Sequence, residues 1–371
     1  MATKPRYRAD HVGSLLRPAE LKAARSAHFD SKSISADELA AVEDTAIRRA
    51  VALQEEIGLR AVTDGEYRRA FWHYDFMDGL SGLDLVERGE GLKFSGATLK
   101  PLYPTITAPL DFPGDHPMLD HYRFLASAAN GSTPKISIPG PSACHFRTAP
   151  ADIAPPEYQD LDVLLGDIAA AYNKAVHAFY DAGCRYLQMD DIFFAYLGDE
   201  DQREQKRQQG FDPDELINAY ARTIEAAIAD RPDDMTIAMH LCRGNFQSTW
   251  MASGGYDPSA EQVLAETSVD VYFMEWDTER AGGLDPLRHL PKGDKRVLPG
   301  FITTKTAPLE SLDDLERRFE QATKYVDIDQ LGIAPQCGFA STEEGNVITV
   351  DDQKAKLELV VATAERIWGG V

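Results

Sequence analysis

The chain has 371 residues, 43% of them hydrophobic, and a formal charge of -22 from 38 basic and 60 acidic side chains. That balance excludes the basic face that nucleic-acid phosphates or anionic membranes require, and no apolar run reaches the roughly 20 residues of a membrane helix. The opening "MATKPRYRADHVGS" lacks the apolar middle of a signal peptide. The four dispersed cysteines make no disulfide framework, so a reducing, cytoplasmic setting is expected.

In chain order, "RADHVGS" reads as a first strand and "SADELAAVEDTAIRRAVALQEEIG" as a helix with apolar residues at three- and four-residue spacing. "LRAVTDGE" is the second strand. Residues 71–132 hold glycine, proline and short β-rich pieces ("GLKFSGATLKPLYPTITAP"), which predicts an insertion. "PKISIPGP" is the third strand, "LDVLLGDIAAAYNKAVHAFYDAGC" a long helix and "RYLQMDD" the fourth strand. The acidic "GDEDQREQ" reads as solvated surface, and a helix from Asp212 to Ala229 precedes the fifth strand, "MTIAMHLC". "EQVLAETS" is helical before "VDVYFMEWD", the sixth. "RVLPGFIT", the helix "SLDDLERRFEQATKYV", the eighth strand "QLGIAPQC" and the helix "DDQKAKLELVVATAERIW" complete the chain. Eight strands alternating with helices predict an α/β fold, a single (β/α)8 TIM barrel over residues 1–371 with its insertion after strand two. A doubly wound open sheet would need fewer parallel strands and a switch point that this order does not supply.

Reactive residues of such a barrel gather at the C-terminal strand ends. Here these are His11 and Ser14, Asp64 and Glu66, Asp190 and Asp191, His240 and Cys242, Glu275, Thr304 and Lys305, and Cys337. Among them His240, Cys242, Glu275 and Cys337 are the imidazole, thiolate and carboxylate types that bind zinc; a lone histidine or cysteine at a strand end is more often packing. Glu66, Asp190 and Ser14 form a second constellation, suited to the ammonium and backbone of an amino acid. Alternatively, Asp190 and Asp191 cap the following segment and pair with Arg68 or Arg185. Cys144 and His145 are adjacent, so on an extended chain they point to opposite faces and make no second metal site. His177 is expected to be structural, His11 could reach the pocket, and His73 is ambiguous.

At "DHVGSLLRP", "EEIGLRAVTDGEYRR", "LQMDD", "MHLCRGN", "YFMEWD", "LPGFITTKTAPLES" and "APQCGFASTEEGN" the sequence resembles the cobalamin-independent methionine synthase family. The closer likeness is to short single-barrel forms matching the C-terminal catalytic half, within the uroporphyrinogen decarboxylase and methionine synthase-like superfamily. The resemblance implies a TIM-barrel enzyme that uses Zn²⁺ to transfer a methyl group to a small thiol, homocysteine, giving methionine. It implies His240, Cys242, Glu275 and Cys337 as metal ligands and Ser14, Glu66 and Asp190 as substrate-binding residues, with Asp190 and Lys305 in catalytic roles. The family's methyl donor is a polyglutamylated 5-methyltetrahydrofolate; a methylated corrinoid is an alternative. Lys305 stands where full-length enzymes carry a proton-donating histidine, Asp191 where they carry glutamate, and Ile192 where they carry proline. Two other functions use the same residues: thiol alkylation of the epoxyalkane–coenzyme M transferase type, and a non-catalytic barrel with structural zinc. A homo-oligomer is compatible with either.

Overall fold

The computed structural model describes residues 7–91 and 93–371. Residues 1–6, which belong to the stretch read for a leader, and Leu92 of the predicted insertion lie outside the described residues.

The described residues form twelve strands: β1 (Ala61–Val62), β2 (Ser81–Glu87), β3 (Lys93–Phe94), β4 (Ala97–Thr98), β5 (Leu102–Asp111), β6 (Thr133–Pro134), β7 (Ile136–Pro139), β8 (Tyr186–Asp190), β9 (Thr236–Leu241), β10 (Val271–Glu275), β11 (Arg296–Ile302) and β12 (Ala334–Pro335). Six of them make one curled parallel sheet in the order β12-β11-β10-β9-β8-β7. Every residue of β8, β9, β10 and β11 is buried. That burial on both faces is why these segments read as near-continuous apolar runs rather than as alternating ones.

The rest of the ring is built from shorter contacts. β1 pairs in parallel with β6, and Lys135, the residue between β6 and β7, donates its N–H to Val62 O at 2.8 Å. The predicted first strand makes a single bridge, Ala9 with Ile333, in which Ile333 N–H donates to Arg8 O at 2.7 Å. The Asp10 N–H completes that bridge on Ile333 O at 3.1 Å, and the Asp10 carboxylate accepts from Lys135 Nζ and Tyr186 Oη, both at 2.7 Å. The chain thus adopts the TIM-barrel architecture, with the first and eighth strands meeting edge to edge.

Helix Ala36–Ile57 starts at a reciprocal cap between Ser35 and Glu38 and stops at Gly58, whose φ of 101° belongs to the left-handed region. Its wholly buried Gln54 accepts from Thr63 N–H and donates to Thr63 O, both at 2.9 Å, fixing the helix to the segment beyond β1. Helix Leu161–Asp181 packs against Pro213–Ile228, which Asp212 caps.

Some expectations are corrected. Helix Pro117–Ala128 packs between Ala36–Ile57 and Leu161–Asp181, the place of the barrel's own helix between strands two and three. The part of 71–132 without a barrel counterpart is therefore the antiparallel β2–β5 pair with the small β3–β4 hairpin at its tip. "EQVLAETS" is helical as expected, its residues Glu261–Glu266 winding as a π-helix. "GDEDQREQ" is surface as expected, none of its residues buried, and part of it lies in the helix Glu200–Gln208. Among the described residues, no helix is long and apolar enough to cross a membrane.

Candidate metal and substrate site

Parallel register sets the first alignment: Asp190 of β8 stands opposite His240 of β9, and β10 ends at Glu275 one strand further on. Cys242 follows β9 directly, and Cys337 lies two residues beyond β12. One donor atom from each of His240, Cys242 and Cys337 falls within 4.8 Å of the other two, and all three residues are buried. The two sulfurs are 3.7 Å apart.

This cluster fits a metal ion. Neither ring nitrogen of buried His240 has a hydrogen-bond partner, an arrangement that is costly unless the imidazole is a ligand. Cys242 lowers the thiol pKa of Cys337 well below its ordinary value, against the effect of burial and with help from His240 and Lys305. Cys242 is pushed the other way, chiefly by Cys337 and burial. Burial opposes charge on His240, but the neighbouring Cys337, Asp190 and Glu275 outweigh it and raise its pKa.

Glu275 stands outside this three-residue group. Its Oε2 accepts the Arg243 N–H and its Oε1 accepts from Arg280, both at 2.6 Å, while Lys305 Nζ lies 3.9 Å from Oε1. Burial would raise its pKa, yet Lys305, Arg280 and Arg243 together bring it down to about 2. Glu275 is thus an obligate anion, close enough to act on the charges of His240 and Cys242. Lys305 is buried behind it, and its ammonium has no hydrogen-bond partner.

Ser14, Glu66 and Asp190 line one cleft with His240, Cys242 and Cys337, a space of about 650 Å³ counting its open mouth. Glu66 Oε1 accepts from Ser137 Oγ at 3.1 Å, Oε2 has no hydrogen-bond partner, and Arg69 lies 3.8 Å away. Burial lifts Glu66 to a pKa of about 7, with Arg69 opposing it. Asp190 accepts from Gln188 at 2.7 Å and is raised to about 6 by burial, which His240 and Gln188 oppose. Ser14 Oγ accepts the Ala340 N–H at 3.2 Å, and Gly338 sits against it so tightly that any Cβ there would overlap the hydroxyl.

The structural pairing considered for "MDD" does not form. Arg68 is held by Glu43 and Asp44, Arg185 by Asp234, and Asp191 accepts from Ser142. Cys144 and His145 occupy a short helix, Ala143–Phe146, not an extended chain. They still diverge, Cys144 toward Tyr172 and His145 onto Tyr220 Oη at 2.8 Å. His11 is turned to Gln54, 2.8 Å away, and does not line the cleft; His73 does. His177 sits on its helix beside Asp230.

Trp72, Phe94, Arg147, Asn245 and Phe246 also line the cleft. They lie on loops or the inserted hairpin, where strand-end reasoning does not look. The available signal was the "HFR" after the third strand, at the barrel mouth.

Residues 9–365 match the family described as the cobalamin-independent synthase, catalytic domain. The uncharacterized protein YxjH of Bacillus subtilis is 46% identical over 366 residues, covering 98% of this chain and 96% of that one. A solved structure from Listeria monocytogenes, described as a candidate vitamin-B12 independent methionine synthase, has a TM-score of 0.79 at 36% identity over 99% of both chains. The 5-methyltetrahydropteroyltriglutamate–homocysteine methyltransferase of Mycobacterium leprae is 22% identical across 97% of this chain but only 42% of its own length.

Proposed function

The chain belongs to the family of cobalamin-independent synthase catalytic domains, and from that premise we propose that it is a zinc-dependent thiol methyltransferase. The acceptor is homocysteine and the product methionine, with 5-methyltetrahydrofolate or another methyl carrier, such as a methylated corrinoid, as donor. The observation that carries this reading is the buried His240–Cys242–Cys337 group on the wall of a cleft that also presents two carboxylates.

In this reading His240, Cys242 and Cys337 would hold the ion, with the carboxylate of Glu275 as the remaining donor of the expected set. Bound zinc supplies the positive charge that keeps a thiol of ordinary pKa ~8.5 ionised at neutral pH. Glu66 and Asp190 accept the acceptor's ammonium, and Ser14 orients its backbone. Burial of these groups excludes water, so the charge they carry when ionised is weakly screened from a bound amino acid. Transfer forms the S–CH3 bond and breaks the bond to the carrier, which takes up a proton. Lys305 neutralises Glu275 from behind, consistent with its 3.9 Å approach.

The test is metal content with activity. Purified protein is expected to carry about one zinc per chain, and Cys242→Ser and Cys337→Ser to lose most of it. Equal, negligible zinc in all three sinks the metal site. Homocysteine offered with methylfolate, methylcobalamin and an epoxide then sorts the chemistry; product from the epoxide alone overturns methyl transfer. X-ray absorption at the zinc edge should show one added sulfur ligand when homocysteine binds.

A further inference from the structure

A second cavity, of about 1100 Å³ counting its open mouth, lies behind one wall of the cleft. That wall is a pair of short segments joined by backbone contacts. Phe71 bridges Thr342, Trp72 N–H donates to Ser341 O at 2.9 Å, and Glu343 N–H donates to Ala70 O at 2.8 Å. Trp72, Ser341 and Thr342 line the cleft, whereas Ala70 and Glu343 line the second cavity. None of the residues expected to bind metal or substrate lines that second space.

Cations converge on it, although the chain carries a formal charge of -22. Arg17, Lys22, Arg25, Arg68 and Lys100 all line it. Of its carboxylates, Asp75 is taken up by the N–H groups of Ala70 and Phe71, at 2.8–3.1 Å, and Asp30 and Glu344 are exposed. Glu343 reaches two of the cations, 3.4 Å from Arg25 and 3.9 Å from Lys100.

Arg25 is loosely held for a buried guanidinium. It is 5% exposed, yet its contacts with Glu43 Oε1, Glu343 Oε2 and Arg68 O are 3.4, 3.4 and 3.3 Å long. Charge-assisted hydrogen bonds are usually about 2.7–2.9 Å. Independently, Arg17 and Arg68 each bury an Nε–H that has no hydrogen-bond partner among the described residues. Phe29, whose ring centroid lies 5.1 Å from the Arg25 guanidinium, is 51% exposed and lines the same cavity. Under-satisfied guanidinium groups beside an open aromatic face suit a ligand that joins an anion to a flat ring. Glu343 marks the place of that anion, with one negative charge between Arg25 and Lys100. A phosphate monoester carries about -1.5 to -2 at pH 7 and three acceptor oxygens, so it outcompetes a lone carboxylate there.

We propose that this second cavity is a binding site for a phosphate monoester borne on an aromatic body. Its phosphate takes the place of the Glu343 carboxylate between Arg25 and Lys100, and its ring lies on Phe29.

Calorimetric titration of the full chain with phenyl phosphate, inorganic phosphate and benzoate tests this. Phenyl phosphate should bind roughly two- to tenfold tighter than inorganic phosphate, the scale of an aromatic pair, and Phe29→Ala should abolish the difference. Benzoate should bind more weakly than phenyl phosphate. Arg25→Gln should weaken phenyl phosphate by about tenfold or more. Because a buried arginine also supports the fold, Glu343→Gln supplies a change of opposite sign. It keeps the backbone bond to Ala70, removes the competing charge and should tighten phenyl phosphate severalfold. Asp190→Asn, in the cleft, should leave phenyl phosphate binding unchanged. The site is overturned if wild type fails to bind phenyl phosphate at millimolar concentration, or if benzoate or inorganic phosphate binds as tightly. It is equally overturned if Glu343→Gln leaves the affinity unchanged or lowers it, or if Asp190→Asn abolishes binding, which would put the ligand in the cleft. None of these readouts uses zinc content or methyl transfer, so the second site stands or falls separately from the methyltransferase reading.

Discussion

Glu66 combines two unusual features at one residue. Its φ of 60° places a non-glycine side chain in the left-handed region, directly after Gly65 at 67°. Such strain, of order 1–3 kcal/mol, persists where surrounding structure over-determines it, commonly at binding sites. Its raised pKa also gives a pH dependence whose sign can be worked out. Below pH 7 the buried carboxyl holds its proton and attracts an ammonium poorly; above it the carboxylate is available. KM for an amino-acid acceptor is therefore expected to rise as pH falls from 7.5 to 6, by roughly five- to tenfold from Glu66 alone. Asp190 steepens the limb near its own pKa of about 6. Glu66→Gln should raise KM at pH 7.5 and remove the upper part of this limb. A flat wild-type profile would mean that these carboxylates do not bind the ammonium. Linkage runs the other way for the ligand-free protein. A folded-state pKa near 7 against an ordinary 4.5 means the folded chain binds the proton more tightly, so Glu66 lowers stability as pH rises through that window.

Between elements, the mouth loops are clamped by Arg17, which lies just before helix Ala19–Phe29. Its buried guanidinium donates to the carbonyls of Glu66 at 2.8 Å, Arg69 at 2.7 Å and Thr342 at 3.0 Å, joining the loop after β1 to the loop after β12. Arg17→Met would leave several buried carbonyls unpaired, at about 1–3 kcal/mol each, so a loss of about 3 kcal/mol or more is expected as a lower urea midpoint. Arg17→Lys should recover only part, because an ammonium cannot reproduce the planar fork. A wild-type midpoint for Arg17→Met would show that the loops are held by other contacts. The clamp also illustrates what a single sequence conceals. β8 to β11 were legible because parallel strands buried on both faces leave unbroken apolar runs; of the four donors expected at strand ends, the structure brings His240, Cys242 and Cys337 together and leaves Glu275 outside that group. Helix Ala19–Phe29 was not legible, since only Leu21 and Arg25 of it are buried and no apolar stripe results. Arg147 and Trp72 escaped notice because their place in the cleft depends on loop paths. Arg17 escaped because backbone carbonyls, its partners here, leave no trace in residue identity.

At the scale of the whole molecule, the decisive issue is whether the metal organises the barrel or only completes its mouth. The sheet β12-β11-β10-β9-β8-β7 is paired along its length by backbone hydrogen bonds, and its buried apolar side chains divide between a large cluster and a smaller one that includes Tyr186, Ala238, Val271, Phe273 and Leu298. The donor group lies at the C-terminal rim, joining β9 to β12, which already share the sheet through β10 and β11. Removing an ion there deletes one link between strands that stay paired in the sheet without it. Chelation is therefore expected to leave far-UV circular dichroism unchanged while lowering Tm. The loss follows the free-metal concentration, reaching about 4 kcal/mol where zinc stands at a thousand times its Kd. Re-adding zinc should restore Tm without a refolding lag, whereas small domains built around a structural zinc unfold outright on chelation. Collapse of the helical signal on chelation would reassign the ion to a structural role and remove the main physical support for thiol activation. Retention of the fold, together with a zinc-edge spectrum that gains sulfur only when homocysteine is present, places the ion's function in the chemistry at the mouth.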